Sequence, residues 1–160
     1  MKKFINHIDH VVWISRLENL ENNVAELEAV TEAKLLRFQR DDMGFVMCID
    51  WEAGLEVVAP YDEKTDFNQG LHDHLDARGE GLLGVVFGVD DLEKHKEKLE
   101  AKGIPIGPIM DDLPSSPWHH RLLLRERMVL QPVFNSQMVL GQIDYADDVI
   151  RYEDVKEEVE

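Results

Sequence analysis

The 160-residue sequence holds one cysteine, few basic residues and no long apolar run. A single thiol, Cys48, cannot close a disulfide within the chain. Its setting in Phe45-Val46-Met47-Cys48-Ile49 reads as that of a small buried hydrophobe rather than a catalytic nucleophile. Only 17 Lys and Arg stand against 33 Asp and Glu, a net charge of −16. A phosphate backbone or an anionic bilayer would be repelled, so nucleic acid and membrane are excluded as partners. No long apolar segment follows Met1-Lys2-Lys3, so neither a signal peptide nor a membrane span is expected, and the chain reads as cytoplasmic. What is present suffices for one interior: 44% of the residues are hydrophobic and 31% charged. That composition fits one globular domain or two half-size modules sharing a core.

The pattern reads as the same set of elements twice. Ile8–Ile14 is apolar and β-branched, a buried strand. Leu17, Leu20, Val24, Leu27 and Val30 recur at spacings of three and four, which predicts a helix with one wet face. Strand-like runs follow at Lys34–Phe38, Phe45–Asp50 and Leu55–Ala59, separated by turn-forming pieces and closed by Pro60. Leu82–Val89 then reads as a second buried strand. Asp90-Asp91 starts a helix over Leu92–Lys102, stopped by Gly103. Ile104–Met110 is a strand made irregular by Pro105 and Pro108, and Trp118–Leu124 and Met138–Ile143 complete the set. A short helix is expected at Leu71–Ala77 in the connector. His10-Val11-Val12-Trp13 lines up with Gly84-Val85-Val86-Phe87, so a duplicated βαβββ unit is the simplest account.

Several segments carry a family resemblance in their order and spacing. Ile8-Asp9-His10-Val11-Val12 resembles the first strand, and Gly54-Leu55-Glu56-Val57-Val58-Ala59-Pro60 the fourth strand, of the glyoxalase/bleomycin-resistance/dioxygenase (vicinal oxygen chelate) superfamily. Leu75-Asp76-Ala77-Arg78-Gly79-Glu80-Gly81-Leu82 is similar to its lead-in to the second module, and Asp90-Asp91-Leu92 and Ala101-Lys102-Gly103-Ile104 bracket the following helix. The resemblance implies an α+β fold of two tandem βαβββ modules forming a curved mixed sheet, or half-barrel. The modules would occupy 1–72 and 73–146, with 147–160 an acidic tail.

The resemblance also implies a site. His10 and Glu56 would be metal ligands projecting into one concave space, with Gln142 a third, for a divalent ion such as Zn, Mn, Fe or Ni. The sequence departs from the family pattern at Gly84, where a second histidine is usual. It departs again at Gln142 or Gly141, where a second glutamate is usual. His119 and His120 fall in the expected strand Trp118–Leu124, where alternation sends one to each face, and Arg121 shares the face of His119. One of these histidines, with Arg121, would serve as acid/base and anion-gripping groups. The bland alternatives are a hydrogen-bonded core histidine at 10, a solvent-side glutamate at 56 and edge-strand surface histidines at 119 and 120. His72 and His74, two apart, do not share a helical face and form no metal clip; His95 reads as structural. Arg125–Gln137 reads as a long loop, either a lid or an extended hairpin.

Two functions of different classes follow. One is an enzyme acting on a small oxygenated substrate by isomerase, epimerase, lyase or dioxygenase chemistry through an incomplete metal chelate. The other is a metal-free binding protein of the bleomycin-resistance type, for which the acidic surface suits a cationic ligand. A third possibility is acid/base chemistry on the same fold without metal. A homodimer is expected, since exposed apolar sheet edges need covering.

Overall fold

The computed structural model describes residues 5–146, so the expected tail 147–160 lies outside the described residues. In chain order the elements are β1 (Ile8–Ile14), a 3-10 turn (Leu17–Asn19), α1 (Leu20–Thr31), β2 (Leu36–Arg40), β3 (Phe45–Asp50), β4 (Leu55–Pro60), α2 (Gln69–Arg78), β5 (Gly81–Gly88), α3 (Leu92–Glu100), β6 (Ile106–Asp111), β7 (Leu122–Val129) and β8 (Gln137–Tyr145). The β-α-β-β-β order therefore occurs twice, with α2 in the connector. By contacts the described residues divide into a unit of His10–Val85 and a unit of 5–9 with 86–146.

In the His10–Val85 unit, β4 lies between β1 and β3. It runs parallel to β1, with Val12 opposite Glu56 and Ile14 opposite Val58. It runs antiparallel to β3, with Ile49 opposite Glu56, and β2 pairs antiparallel on the far side of β3. Helix α1 covers one sheet face, where Leu20, Val46, Cys48, Val57 and Ala59 form a buried cluster joined by Trp13, Leu17, Val24 and Leu27. Leu17, Leu20, Val24 and Leu27 are positions that the spacing of three and four picked out; Val30, the fifth, is exposed instead. Alternation sends Phe45, Met47, Ile49 and Val58 to the opposite face, and they are buried as well. Burial on both faces explains why β3 reads as an unbroken apolar run rather than an alternating one. Gly44 turns the β2–β3 hairpin at φ +80°, and a Cβ there would lie 2.8 Å from both Asn68 Nδ2 and Thr65 Cγ2. The fully buried Asn68 amide donates to the Gly44 and Glu63 carbonyls and accepts from the Thr65 N–H. The hairpin is thereby pinned to the segment that leads into α2.

In the other unit, β7 pairs antiparallel with β8 (Leu124 opposite Ile143, Arg125 opposite Gln142) and with β6 (Met110 opposite Glu126). Helix α3 packs with Val89, Leu92, Ile106, Val129 and Leu140. Its N-terminus is capped twice: the Asp91 carboxylate accepts from the Lys94 N–H and the Gln142 amide oxygen from the Leu92 N–H. The β6–β7 register shifts between Ile106 and Ile109, around Pro108, as expected for a proline within a strand.

Three sequence expectations are corrected. The helix expected from Leu17 opens as a 3-10 turn, with α1 proper starting at Leu20. The strand expected at Trp118–Leu124 starts only at Leu122 and runs on to Val129, so His119, His120 and Arg121 lie in the preceding turn. The long loop expected at Arg125–Gln137 shrinks to 130–136 for the same reason. The charged run Arg125-Glu126-Arg127 hides strand character because its cations find partners beside the ladder. Arg125 pairs with Asp111, while Arg127 reaches Glu93 and the Gly107 carbonyl.

Candidate functional site

His10 stands two residues before Val12, the residue opposite Glu56, so His10 and Glu56 are diagonal neighbours on one sheet face. Their side chains close that diagonal, with His10 Nε2 3.0 Å from Glu56 Oε2. Both residues are buried, at 2% and 8% exposure. A carboxylate in this apolar setting is costly unless bonded, and the imidazole is the bond it makes. Trp51, from the β3–β4 turn, sets its ring edge-on to His10 at 5.3 Å between centroids. The group that β1 and β4 assemble is thus an imidazole and a carboxylate sharing a hydrogen bond, walled by Trp51 and apolar residues.

The other positions at which the resemblance implies ligands are engaged elsewhere or carry no donor. The Gln142 amide oxygen accepts the Leu92 N–H at 2.9 Å and is occupied in capping α3. Gly84 has no side chain to offer. At Gly141 a Cβ would stand 2.9 Å from Val86 Cγ1, so the valine fills the space that a donor there would need. Among the described residues no group of three or more His, Cys, Asp or Glu side chains converges to hold a metal ion. Two protein donors fall short of the three or four that hold a resident zinc-type ion, so the residues present do not fit one.

His119, His120 and Arg121 follow a different logic from strand parity. Successive turn hydrogen bonds, Ser116 N–H to Leu113, His119 N–H to Ser116 and Arg121 N–H to Trp118, carry the chain from β6 to β7. Pro114 and Pro117 suit such turns and resist a strand. At the centre sits Asp112, whose side chain is 5% exposed. It accepts from Ser116 Oγ at 2.8 Å and Trp118 Nε1 at 3.1 Å, and bonds His119 Nδ1 at 3.1 Å. His119 and His120 are both exposed.

Three polar arrangements escaped the sequence reading. Asp112 is one. The second is Tyr145, whose hydroxyl donates to Asp9 at 2.8 Å, both residues being buried; burial and the neighbouring Asp9 push the phenol far above its usual range. A pair 136 residues apart leaves no periodicity to read. The third is Glu80, in the Arg78-Gly79-Glu80-Gly81 lead-in. Its carboxylate accepts from the Arg16 N–H at 2.7 Å and, at 3.2 Å, from Ser15 Oγ, Asn19 Nδ2 and Asn23 Nδ2. The Arg16 N–H is the first of several bonds that hold this carboxyl below the usual range. Cys48 is buried as expected, and desolvation pushes its thiol up to about 11, which keeps it protonated and inert near neutrality. Burial also lowers His95, which stays neutral near pH 7 on a helix face.

No protein-family model and no curated protein sequence matches the chain. Solved structures do. A methylmalonyl-CoA epimerase from Mycobacterium tuberculosis superposes with a TM-score of 0.64 at 18% identity, over 88% of this chain and 89% of that one. A hypothetical protein from Bacillus halodurans gives 0.65 at 14% identity, over 88% and 96%. A Streptomyces coelicolor methylmalonyl-CoA epimerase in complex with 2-nitronate-propionyl-CoA gives 0.64 at 16%, over 88% and 98%. At such identities the likeness concerns the fold, and it extends over most of each chain. Two βαβββ modules in tandem, matched along nearly their whole length, give this chain the glyoxalase-like α+β fold of the methylmalonyl-CoA epimerases and their relatives in the vicinal oxygen chelate superfamily.

Proposed function

We propose that the chain is an enzyme acting on a small oxygenated substrate, with the His10–Glu56 pair as its proton-transferring centre. One observation carries the reading: an imidazole and a carboxylate 3.0 Å apart, buried on an otherwise apolar sheet face. An imidazole hydrogen-bonded to a carboxylate can pass a proton between Nε2 and Oε2, so a proton taken up by one group is shared with the other. The Glu56 side chain is the more open of the two, 10% exposed against 1% for His10, so Glu56 is the group that meets the substrate. In the reaction class that suits it, the carboxylate removes a proton from a carbon beside a carbonyl. His10 shares that proton through Nε2; its return to the opposite face of the same carbon completes an epimerisation, and its delivery to the neighbouring oxygen-bearing carbon completes an isomerisation. Several neighbours in the fold carry the name methylmalonyl-CoA epimerase, an activity of this class. The resemblance would add a divalent ion, but this chain offers two donors where a resident ion needs more, so no step is assigned to a metal.

A second reading is a metal-free small-molecule binder, favoured by the apolar wall of Phe45, Met47, Ile49 and Val58 around the pair. The two readings part on one experiment. Chelator-treated protein is incubated in D2O with a panel of 2-substituted acyl thioesters and 2-hydroxy acids, and deuterium uptake beside the carbonyl is followed by mass spectrometry. The enzyme reading expects exchange that falls about 100-fold or more in Glu56→Gln and in His10→Ala. Exchange that survives both substitutions, or no exchange across the panel, overturns it. Activity lost on chelation, with bound metal that disappears from both variants, would instead assign the pair to a metal chelate.

A further inference from the structure

Alternation along β4 sends Val57 to the face opposite Glu56. There a cleft of about 400 Å³ opens beside α1, within the size range of small-molecule sites. Trp13, Leu27 and Val57 supply apolar wall, and two carboxylates, Glu26 and Glu80, stand at its lining. Among the described residues no cation pairs with either carboxylate. The Glu80 carboxylate is held by neutral donors alone, the Arg16 N–H with Ser15, Asn19 and Asn23. Those bonds fix its place and keep it ionised while leaving its charge uncancelled. The surrounding molecule carries a net −16, which raises the local concentration of cations and repels anions.

We propose that this cleft is a binding site for a small organic ammonium with an apolar body. The ammonium sits between Glu26 and Glu80, and the body lies against Trp13, Leu27 and Val57. An indole, aliphatic walls and two carboxylates lining one cleft form the set that suits a cation carrying a hydrocarbon tail. A free inorganic cation would leave the apolar wall unused, and an anion would meet two like charges.

The probe is phenethylammonium, with 2-phenylethanol and 3-phenylpropanoate as near-isosteric neutral and anionic comparators. Binding to the full chain is followed by calorimetry and by the Trp13 indole N–H resonance, identified with Trp13→Phe. The expected result is saturable binding of the ammonium alone, perturbing Trp13 and weakened about fivefold or more in Glu26→Gln, as loss of one of the two lining carboxylates requires. Val30→Lys, at a lining position that is 79% exposed, places a fixed ammonium at the cleft and abolishes binding while circular dichroism remains that of the parent. The proposal is overturned if the alcohol binds as well as the ammonium, or if Glu26→Gln and Val30→Lys bind like the parent. It is equally overturned if nothing saturates by about 10 mM, the weak limit for a ligand of this size. Because the readout is binding on the α1 face, its failure leaves the His10–Glu56 reading untouched, and the reverse also holds.

Discussion

Removing the Glu56 carboxylate alone takes from His10 Nε2 its bond at 3.0 Å in a buried setting, a loss of about 1–3 kcal/mol. Removing both groups is different, because neither partner of the 3.0 Å bond is then left facing the other's absence. We therefore expect Glu56→Ala to lower the urea midpoint clearly. The double variant His10→Leu/Glu56→Leu should recover most of that loss or exceed the parent. Recovery in the double variant would mean that the pair is not retained for stability, which is what a reacting group looks like. A double variant less stable than either single one would make the pair a structural bond. Cys48 provides the contrast, for its polar atom is simply buried and its raised thiol does nothing at neutral pH.

At the scale of elements, Glu80 acts as an anionic anchor at the start of the 3-10 turn and α1, tying the lead-in of β5 to the end of β1. Its carboxyl is held below the usual range, so the stability it adds is fully present above the ordinary glutamate value, about 4.3. That contribution is lost as pH falls through the lower folded-state value. Glu80→Gln should cost about 1 kcal/mol at pH 7, the scale of a lost helix cap. The gap in melting temperature between parent and variant should close as pH drops below about 4; a gap unchanged from pH 7 to pH 3 would rule the anchor out. Local pattern made most elements legible, because hydrophobic period and Gly/Pro punctuation act within a few residues. Hence β1 and β3 were read to the residue and α1 within one turn. The failures lie where tertiary partners decide. Arg125-Glu126-Arg127 is a strand because Asp111 and Glu93 wait beside it. His119-His120 is a turn because Asp112 gathers it. The convergence of His10 and Glu56 came from family resemblance, since a spacing of 46 residues carries no local signal. Asp9–Tyr145 had neither aid.

For the whole molecule, the described residues contain no helix long and apolar enough to cross a membrane, and large apolar side chains stand exposed at Leu82, Leu123 and Phe134. We propose that such surface is covered in a homodimer. Light scattering at micromolar concentration should return twice the 18.5 kDa chain mass, and a monomer mass would set the proposal aside. One glycine also bears on how the fold can be altered. Because the Val86 methyl occupies the place where a Gly141 side chain would begin, a carboxylate cannot be retrofitted at 141 by one substitution. The strand would have to bulge or the valine swing off its rotamer, a strain of about 1–3 kcal/mol. Trimming Val86 must come first, so what position 141 can carry is decided by a neighbour that offers no donor of its own.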